Sequence, residues 1–126
     1  MNSDAPALVG DVMSSPLVTI SKRATLEEAA AKMRDEDVSA LFVPGSSAGI
    51  LTTTDVVAAV ADGLDLSTVT VTEGMTAPVE RVTTEQDLSA AAAMMTNFGI
   101  KHLPVVDDDG DYVGMISTTD LTTALV

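Results

Sequence analysis

The chain has no cysteine and no tryptophan among its 126 residues, and its aromatic side chains are Phe42, Phe98 and Tyr112 alone. The missing thiols exclude disulfides, thiolate metal sites and cysteine nucleophiles together. Scarce aromatics leave the core to Val, Ile, Leu, Ala and Met. There is no run of 18 apolar residues and no charged-then-apolar leader, so a soluble, cytoplasmic protein is expected. Cations are scarce as well: Lys and Arg number 6 against 19 Asp and Glu, for a net charge of −13. Six scattered cations cannot build a counterion-releasing surface, which weighs against direct binding to nucleic acid or to an anionic membrane. Such an acidic surface suits concentrated salt, where screening removes most self-repulsion, and a halophilic source is expected.

What the chain does have is a repeat. Gly49-Ile50-Leu51-Thr52-Thr53-Thr54-Asp55 returns as Gly114-Met115-Ile116-Ser117-Thr118-Thr119-Asp120. Each copy follows a segment of similar type, Val12-Met13-Ser14-Ser15-Pro16 in one case and Gly74-Met75-Thr76-Ala77-Pro78 in the other. An offset of 62 pairs Met13 with Met75, Pro16 with Pro78, Leu26 with Leu88, Met33 with Met95 and Leu41 with Leu103. At the glycines the offset is 65, so one loop is three residues shorter in the first copy. Halves of this size bury little core alone, and the two are expected to pack against each other. The pattern divides the chain into a lead-in (1–8), a first unit (9–63), a linker (64–72) and a second unit (73–126).

Within the first unit, Leu17 to Ile20 reads as a short β-branched strand. Thr25 caps a helix over Leu26 to Met33 and Glu28 completes a capping box, with Leu26, Ala29, Ala30 and Met33 as the apolar stripe. Ala40 to Val43 and Gly49 to Leu51 are strands joined by a turn, and Thr53 or Thr54 opens a helix that runs to Gly63. The second unit repeats this order. Val79 to Val82 and His102 to Val106 read as strands, Asp87 caps a helix from Leu88 to Met95, and Asp108 to Asp111 turns a hairpin into Tyr112 to Ile116. Asp65 to Thr72 is strand-like. Alternating strands and helices imply an α/β or α+β unit, with helices on one face of a small sheet.

The two Thr/Ser-x-x-Asp motifs carry the most chemistry. A hydroxyl and a carboxylate three residues apart, where a strand passes into a helix, sit beside backbone N–H groups and the positive end of the helix dipole. Such a corner can take a phosphate on the amides and ribose hydroxyls on the carboxylate. Thr52-x-x-Asp55 and Ser117-x-x-Asp120 fit a plain capping box equally well. His102 is either a strand histidine held by the backbone or a phosphate contact. Asp107 to Asp111 does not fit a calcium loop: with Gly110 at loop position six, the first and twelfth positions are Val105 and Ile116. Met94 and Met95 read as core. No nucleophile, base and orienter can be assembled, so no enzyme, catalytic residue or metal site is expected.

Pro16 to Ile20, Leu26 to Met33, Gly99-Ile100-Lys101-His102-Leu103-Pro104-Val105-Val106-Asp107 and Gly114 to Asp120 together resemble the CBS domain. Two ordered copies are similar to a tandem CBS pair, or Bateman module, over nearly the whole chain from about Val9 to Val126. The resemblance implies three-stranded sheets with two helices each, packed sheet to sheet with two clefts between the units. It also implies an adenosine-containing ligand such as AMP, ADP, ATP or S-adenosylmethionine, with no other cofactor. By position, Asp55 and Asp120 match the family's ribose-binding aspartate, accompanied by Thr52, Ser117 and Thr118. Lys101 and His102 match the residues that reach phosphates. Val18, Thr19 and Ile20, together with Val82 of the second copy, match the strand that flanks adenine. Where the second copy has Lys101 and His102, the first has Ser39 and Ala40.

What the resemblance implies is a stand-alone, non-enzymatic regulatory sensor, forming a homodimer and acting on a protein partner. The Val56, Val57 and Val60 face is suited to the dimer contact. The competing expectation is a structural dimerisation or accessory subunit whose ligand sites are degenerate.

Overall fold

Two clusters of aliphatic side chains, matched residue by residue through the repeat, organise the fold. In the computed structural model, which describes residues 8–124, one cluster contains Leu26, Ala29, Met33, Leu41, Val43, Leu51, Ala59 and Val71. The other contains Leu88, Ala91, Met95, Leu103, Val105 and Ile116 with Val9 and Val82. Full burial of each Leu, Ile, Val or Met side chain among them contributes roughly 1.5–3 kcal/mol.

The first cluster belongs to a compact unit of residues 18–79. Helix α2 (Leu26–Glu36) begins at Thr25, whose hydroxyl accepts the Glu28 N–H at 3.1 Å while Glu28 Oε1 accepts the Thr25 N–H at 2.9 Å. It runs one turn beyond the expected Met33, because Arg34, Asp35 and Glu36 continue the helix after the apolar stripe has ended, and it stops at Asp37 in a left-handed conformation. Strands β1 (Ala40–Val43) and β2 (Gly49–Thr52) pair antiparallel with Ala40 opposite Thr52, and helix α3 (Thr53–Ala61) follows directly. The strand expected over Leu17 to Ile20 reduces to an isolated parallel bridge between Thr19 and Phe42, flanked by Phe42 N–H to Val18 carbonyl (2.9 Å) and Ile20 N–H to Phe42 carbonyl (3.0 Å).

The second cluster belongs to a unit formed by residues up to Leu17 together with those from Glu80 onward. Its described part opens with the short helix α1 (Val9–Val12). The lead-in expected over residues 1–8 lies, except for Leu8, outside the described residues. The sheet has the order β3 (Val82–Thr83), β4 (His102–Val106) and β5 (Tyr112–Ser117), parallel then antiparallel. The expected strand Val79 to Val82 is therefore short and shifted to Val82–Thr83. Asp87 caps helix α5 (Leu88–Phe98) by accepting the Ala90 N–H at 2.9 Å, and Gly99 ends it at φ 65°. Helix α6 (Thr118–Ala124) follows β5 without a break.

Packing units and sequence repeats divide the chain differently. The Met13-Ser14 segment of the first repeat lies along β5: Ser14 N–H donates to Met115 carbonyl at 2.8 Å and Met115 N–H to Ser14 carbonyl at 3.0 Å. Symmetrically, Thr76 of the second repeat exchanges two bonds of 3.0 Å with Ile50 of β2. This close approach explains both repeat glycines. A Cβ on Gly114 would stand 2.6 Å from Met13 Sδ and 2.7 Å from Ser14 O; on Gly49 it would stand 2.7 Å from Met75 Sδ and 2.9 Å from Thr76 O. The strand-like character expected for Asp65 to Thr72 reduces to an isolated antiparallel bridge between Thr70 and Thr25. The stretch bonds to the start of α2 (Leu26 N–H to Val69 carbonyl 2.9 Å, Val71 N–H to Ala24 carbonyl 2.8 Å) and leads into helix α4 (Val71–Gly74). Its β-branched residues serve burial in that cluster instead of a ladder.

Candidate functional site

Each repeat builds one corner where a strand becomes a helix with no residue between. At the first, the Thr52 hydroxyl accepts the Asp55 N–H at 3.3 Å, while Asp55 Oδ2 accepts the Thr52 N–H at 2.8 Å and its hydroxyl at 3.0 Å. The Thr53 N–H donates across to the Ser39 carbonyl at 3.0 Å. At the second, Asp120 N–H donates to Ser117 Oγ at 3.1 Å, Ser117 N–H to Asp120 Oδ2 at 2.9 Å, and Thr118 N–H to the Lys101 carbonyl at 3.0 Å. These are reciprocal capping boxes of nearly the same geometry. Both aspartates are half-buried, and the bonds they accept at these corners end on Oδ2, so Oδ1 faces the remaining surroundings.

Three backbone amides at each corner already donate within the protein: Thr52, Thr53 and Asp55 at the first, Ser117, Thr118 and Asp120 at the second. Sequence reasoning missed this because the acceptors for Thr53 and Thr118 lie on the preceding strand entrances, far away along the chain.

The remaining candidates fall around these corners to different degrees. His102 stands opposite Ser117 in the β4–β5 register and is half-buried. Burial lowers its pKa from the ordinary 6.5, and the neighbouring Lys101 charge lowers it further, while Asp120 acts in the opposite direction. At pH 7 His102 is thus a neutral imidazole beside a carboxylate. Lys101 is exposed. Val18 and Ile20 pack against the core of their unit and Thr19 between them is exposed. They lie on the far side of β1 from Thr52, two strand spacings or about 10 Å away. Val82 is only 1% exposed and belongs to the core, so only its backbone remains for a ligand.

The hairpin after β4 gathers Asp107, Asp109 and Asp111 carboxylate oxygens within 4.8 Å of one another. Asp107 Oδ1 accepts the N–H groups of Asp109 (2.9 Å) and Asp111 (3.0 Å), which makes the aspartate a turn-former. No helix among the described residues is long and apolar enough to cross a membrane.

The model of the CBS domain matches residues 9–62 and 67–126. An uncharacterized 17.7 kDa protein of Acidianus ambivalens is 31% identical over 121 residues, which cover 94% of this chain and 73% of its own. Other curated relatives are much longer. Homoserine O-acetyltransferase of Methanohalophilus mahii is 35% identical over 121 residues, and the chain spans 24% of its length. Among solved structures, the CBS domain pair of protein MJ0100 in complex with 5'-methylthioadenosine and S-adenosyl-L-methionine superposes with a TM-score of 0.85. It is 26% identical, with 95% of this chain and 100% of that chain covered.

Proposed function

We propose, from the premise that this chain belongs to the CBS domain family, that it is a non-enzymatic regulatory module binding an adenosine-containing ligand. The observation that carries this reading is the duplicated corner, in which a hydroxyl and a carboxylate are held rigidly and each carboxylate keeps an oxygen outside the capping box. In the reading, Asp55 and Asp120 accept ribose hydroxyls, with Thr52, Ser117 and Thr118 beside them. Lys101 and His102 face the 5' end of the ligand. Val18, Thr19, Ile20 and the Val82 backbone border the base. The adenosyl compounds bound by the MJ0100 domain pair support this ligand class. ATP, ADP, AMP and S-adenosylmethionine are the compounds to screen.

The module acts in this reading as a homodimer on a separate protein partner, in the cytoplasm of a salt-adapted cell. Thermal denaturation with AMP, ATP, S-adenosylmethionine and 5'-methylthioadenosine tests it. A ligand at 100 times its Kd adds about 2.7 kcal/mol of stability, and no response to any of the four rejects the reading. A second reading, a structural or accessory module, is favoured by one observation: both capping boxes are complete without a ligand.

A further inference from the structure

We infer that the two packing units depend on each other in one direction only: residues 18–79 fold by themselves, and the unit built from residues 8–17 and 80–126 closes on that scaffold and opens without disturbing it.

Connectivity sets the difference. Residues 18–79 are one continuous stretch, whereas the other unit is assembled from two pieces that this stretch separates. Both ends of the stretch are tied within it. Phe42 N–H donates to the Val18 carbonyl at 2.9 Å beside β1, and Val79 N–H donates to the Ala48 carbonyl at 3.1 Å at the entrance of β2. Its interior is closed in the same way, by Leu26 N–H on the Val69 carbonyl (2.9 Å), Thr72 N–H on the Lys22 carbonyl (3.1 Å) and the Ile50–Thr76 pair. Its helices are capped from inside by Thr25 with Glu28, Thr52 with Asp55 and Thr70 with Glu73. The buried cluster and the side chains packed on it, from Val18 to Met75, come from the stretch itself.

The other unit lacks that independence. Val9 is fully buried in its cluster, and the segment carrying Val9 supplies Val9 N–H to the Gln86 carbonyl (2.8 Å), Gly10 N–H to the Thr84 carbonyl (2.9 Å) and the reciprocal Ser14–Met115 pair. With 18–79 unfolded, these contacts close a loop of 62 residues (18 to 79). The three-halves power of that length disfavours closure by a factor of about 500. Folding of 18–79 removes the loss beforehand, because Val18 and Val79 are then held at the outer edges of one two-stranded sheet. Three strand spacings, about 14 Å, separate those edges. The crossover is short as well: Val79 is bonded in one unit and Val82 begins β3 of the other, with Glu80 and Arg81 between. Opening of 80–126 together with 8–17 leaves the stretch's own bonds intact, while unfolding of 18–79 releases both anchors at once.

Hydrogen exchange read by mass spectrometry through a urea series, on the full chain, tests this with Leu103→Ala and its counterpart Leu41→Ala. Both side chains are fully buried, in β4 and β1. Each truncation should lower the folding constant of its own unit by roughly 30-fold or more. In the wild type, protection should vanish over 82–117 at lower urea than over 40–59. Leu103→Ala should widen that interval, leaving 18–79 folded beside an open second unit. Leu41→Ala should narrow or abolish it. Val105→Ala and Val43→Ala, which remove less buried volume, serve where a leucine variant does not fold. Simultaneous loss of protection in both units of Leu103→Ala, or of its valine substitute, overturns the inference. So does any protein in which 40–59 opens while 82–117 stays protected.

Discussion

Replacing Asp120 by Ala separates a ligand contact from a helix cap, because the two roles predict different quantities. Asp120 Oδ2 accepts one backbone N–H, from Ser117 at 2.9 Å. At a half-buried position that bond is worth about 1 kcal/mol, and a carboxylate in the first helical turn adds roughly 0.3–1 kcal/mol. The unliganded variant should therefore lose about 1–2 kcal/mol. For a chain of this length that is roughly 4–8 °C in Tm, at about 4 °C per kcal/mol. Asp55 accepts the Thr52 hydroxyl in addition to its N–H, so Asp55→Ala should cost slightly more. The ligand-induced increment is the deciding quantity. If Asp120 holds ribose, saturating AMP should raise the wild-type Tm and leave Asp120→Ala nearly unmoved, through loss of a charged hydrogen bond worth about 1.5–3 kcal/mol. Paired melts with and without AMP measure both effects. An increment preserved in full in Asp120→Ala would show that the aspartate is only a cap.

Three other outcomes are expected. Gly114→Ala should cost about 1–3 kcal/mol, because its Cβ would press on the Ser14 carbonyl at 2.7 Å and force that segment off β5; denaturant unfolding reads the loss directly. For His102 the folded pKa lies below its unfolded value, so the unfolded chain binds more protons below the ordinary 6.5 and stability falls as pH drops through that region. Chemical denaturation at pH 7.5 and 5.5 should show this decline flattened in His102→Gln, and an identical slope in both proteins would contradict it. Finally, ATP affinity should hold or rise between low and molar KCl while the fold gains stability, since screening relieves a field set by −13 charges. Titrations run beside circular dichroism would expose the opposite, a steep loss of affinity with the fold intact.

Local chemistry was readable from residues, and long-range pairing was not. Thr25 with Glu28, and Asp87 ahead of an alanine-rich stripe, announce helix starts because capping is settled within four residues. The hairpin at Asp107 to Asp111 is equally local. Leu17 to Ile20 and Val79 to Val82 met β propensity, yet strand length depends on neighbours that propensity does not contain. Val69 and Val71 show the same limit, since their bonds go to the start of a helix more than 40 residues earlier. At the corners the hydroxyl and carboxylate pairs were legible, but the occupied state of the amides was not. Their acceptors at Ser39 and Lys101 are brought in by the sheet.

The exchange of opening segments has an evolutionary corollary. Neither repeat contains its own complete fold: Val9 is buried in the cluster built by the second repeat, and Val71, from the stretch between the β-strands of the two repeats, is buried in the cluster of the first. A single ancestral repeat could have completed itself only by lending its first residues to a second copy and borrowing the same residues back. Such domain swapping is an inexpensive route to a twofold dimer. Gene duplication and fusion would then have made the exchange intramolecular without altering a hydrogen bond. On this view Gly49 and Gly114 are relics of that loan, each preserving a gap shaped for the other copy's methionine.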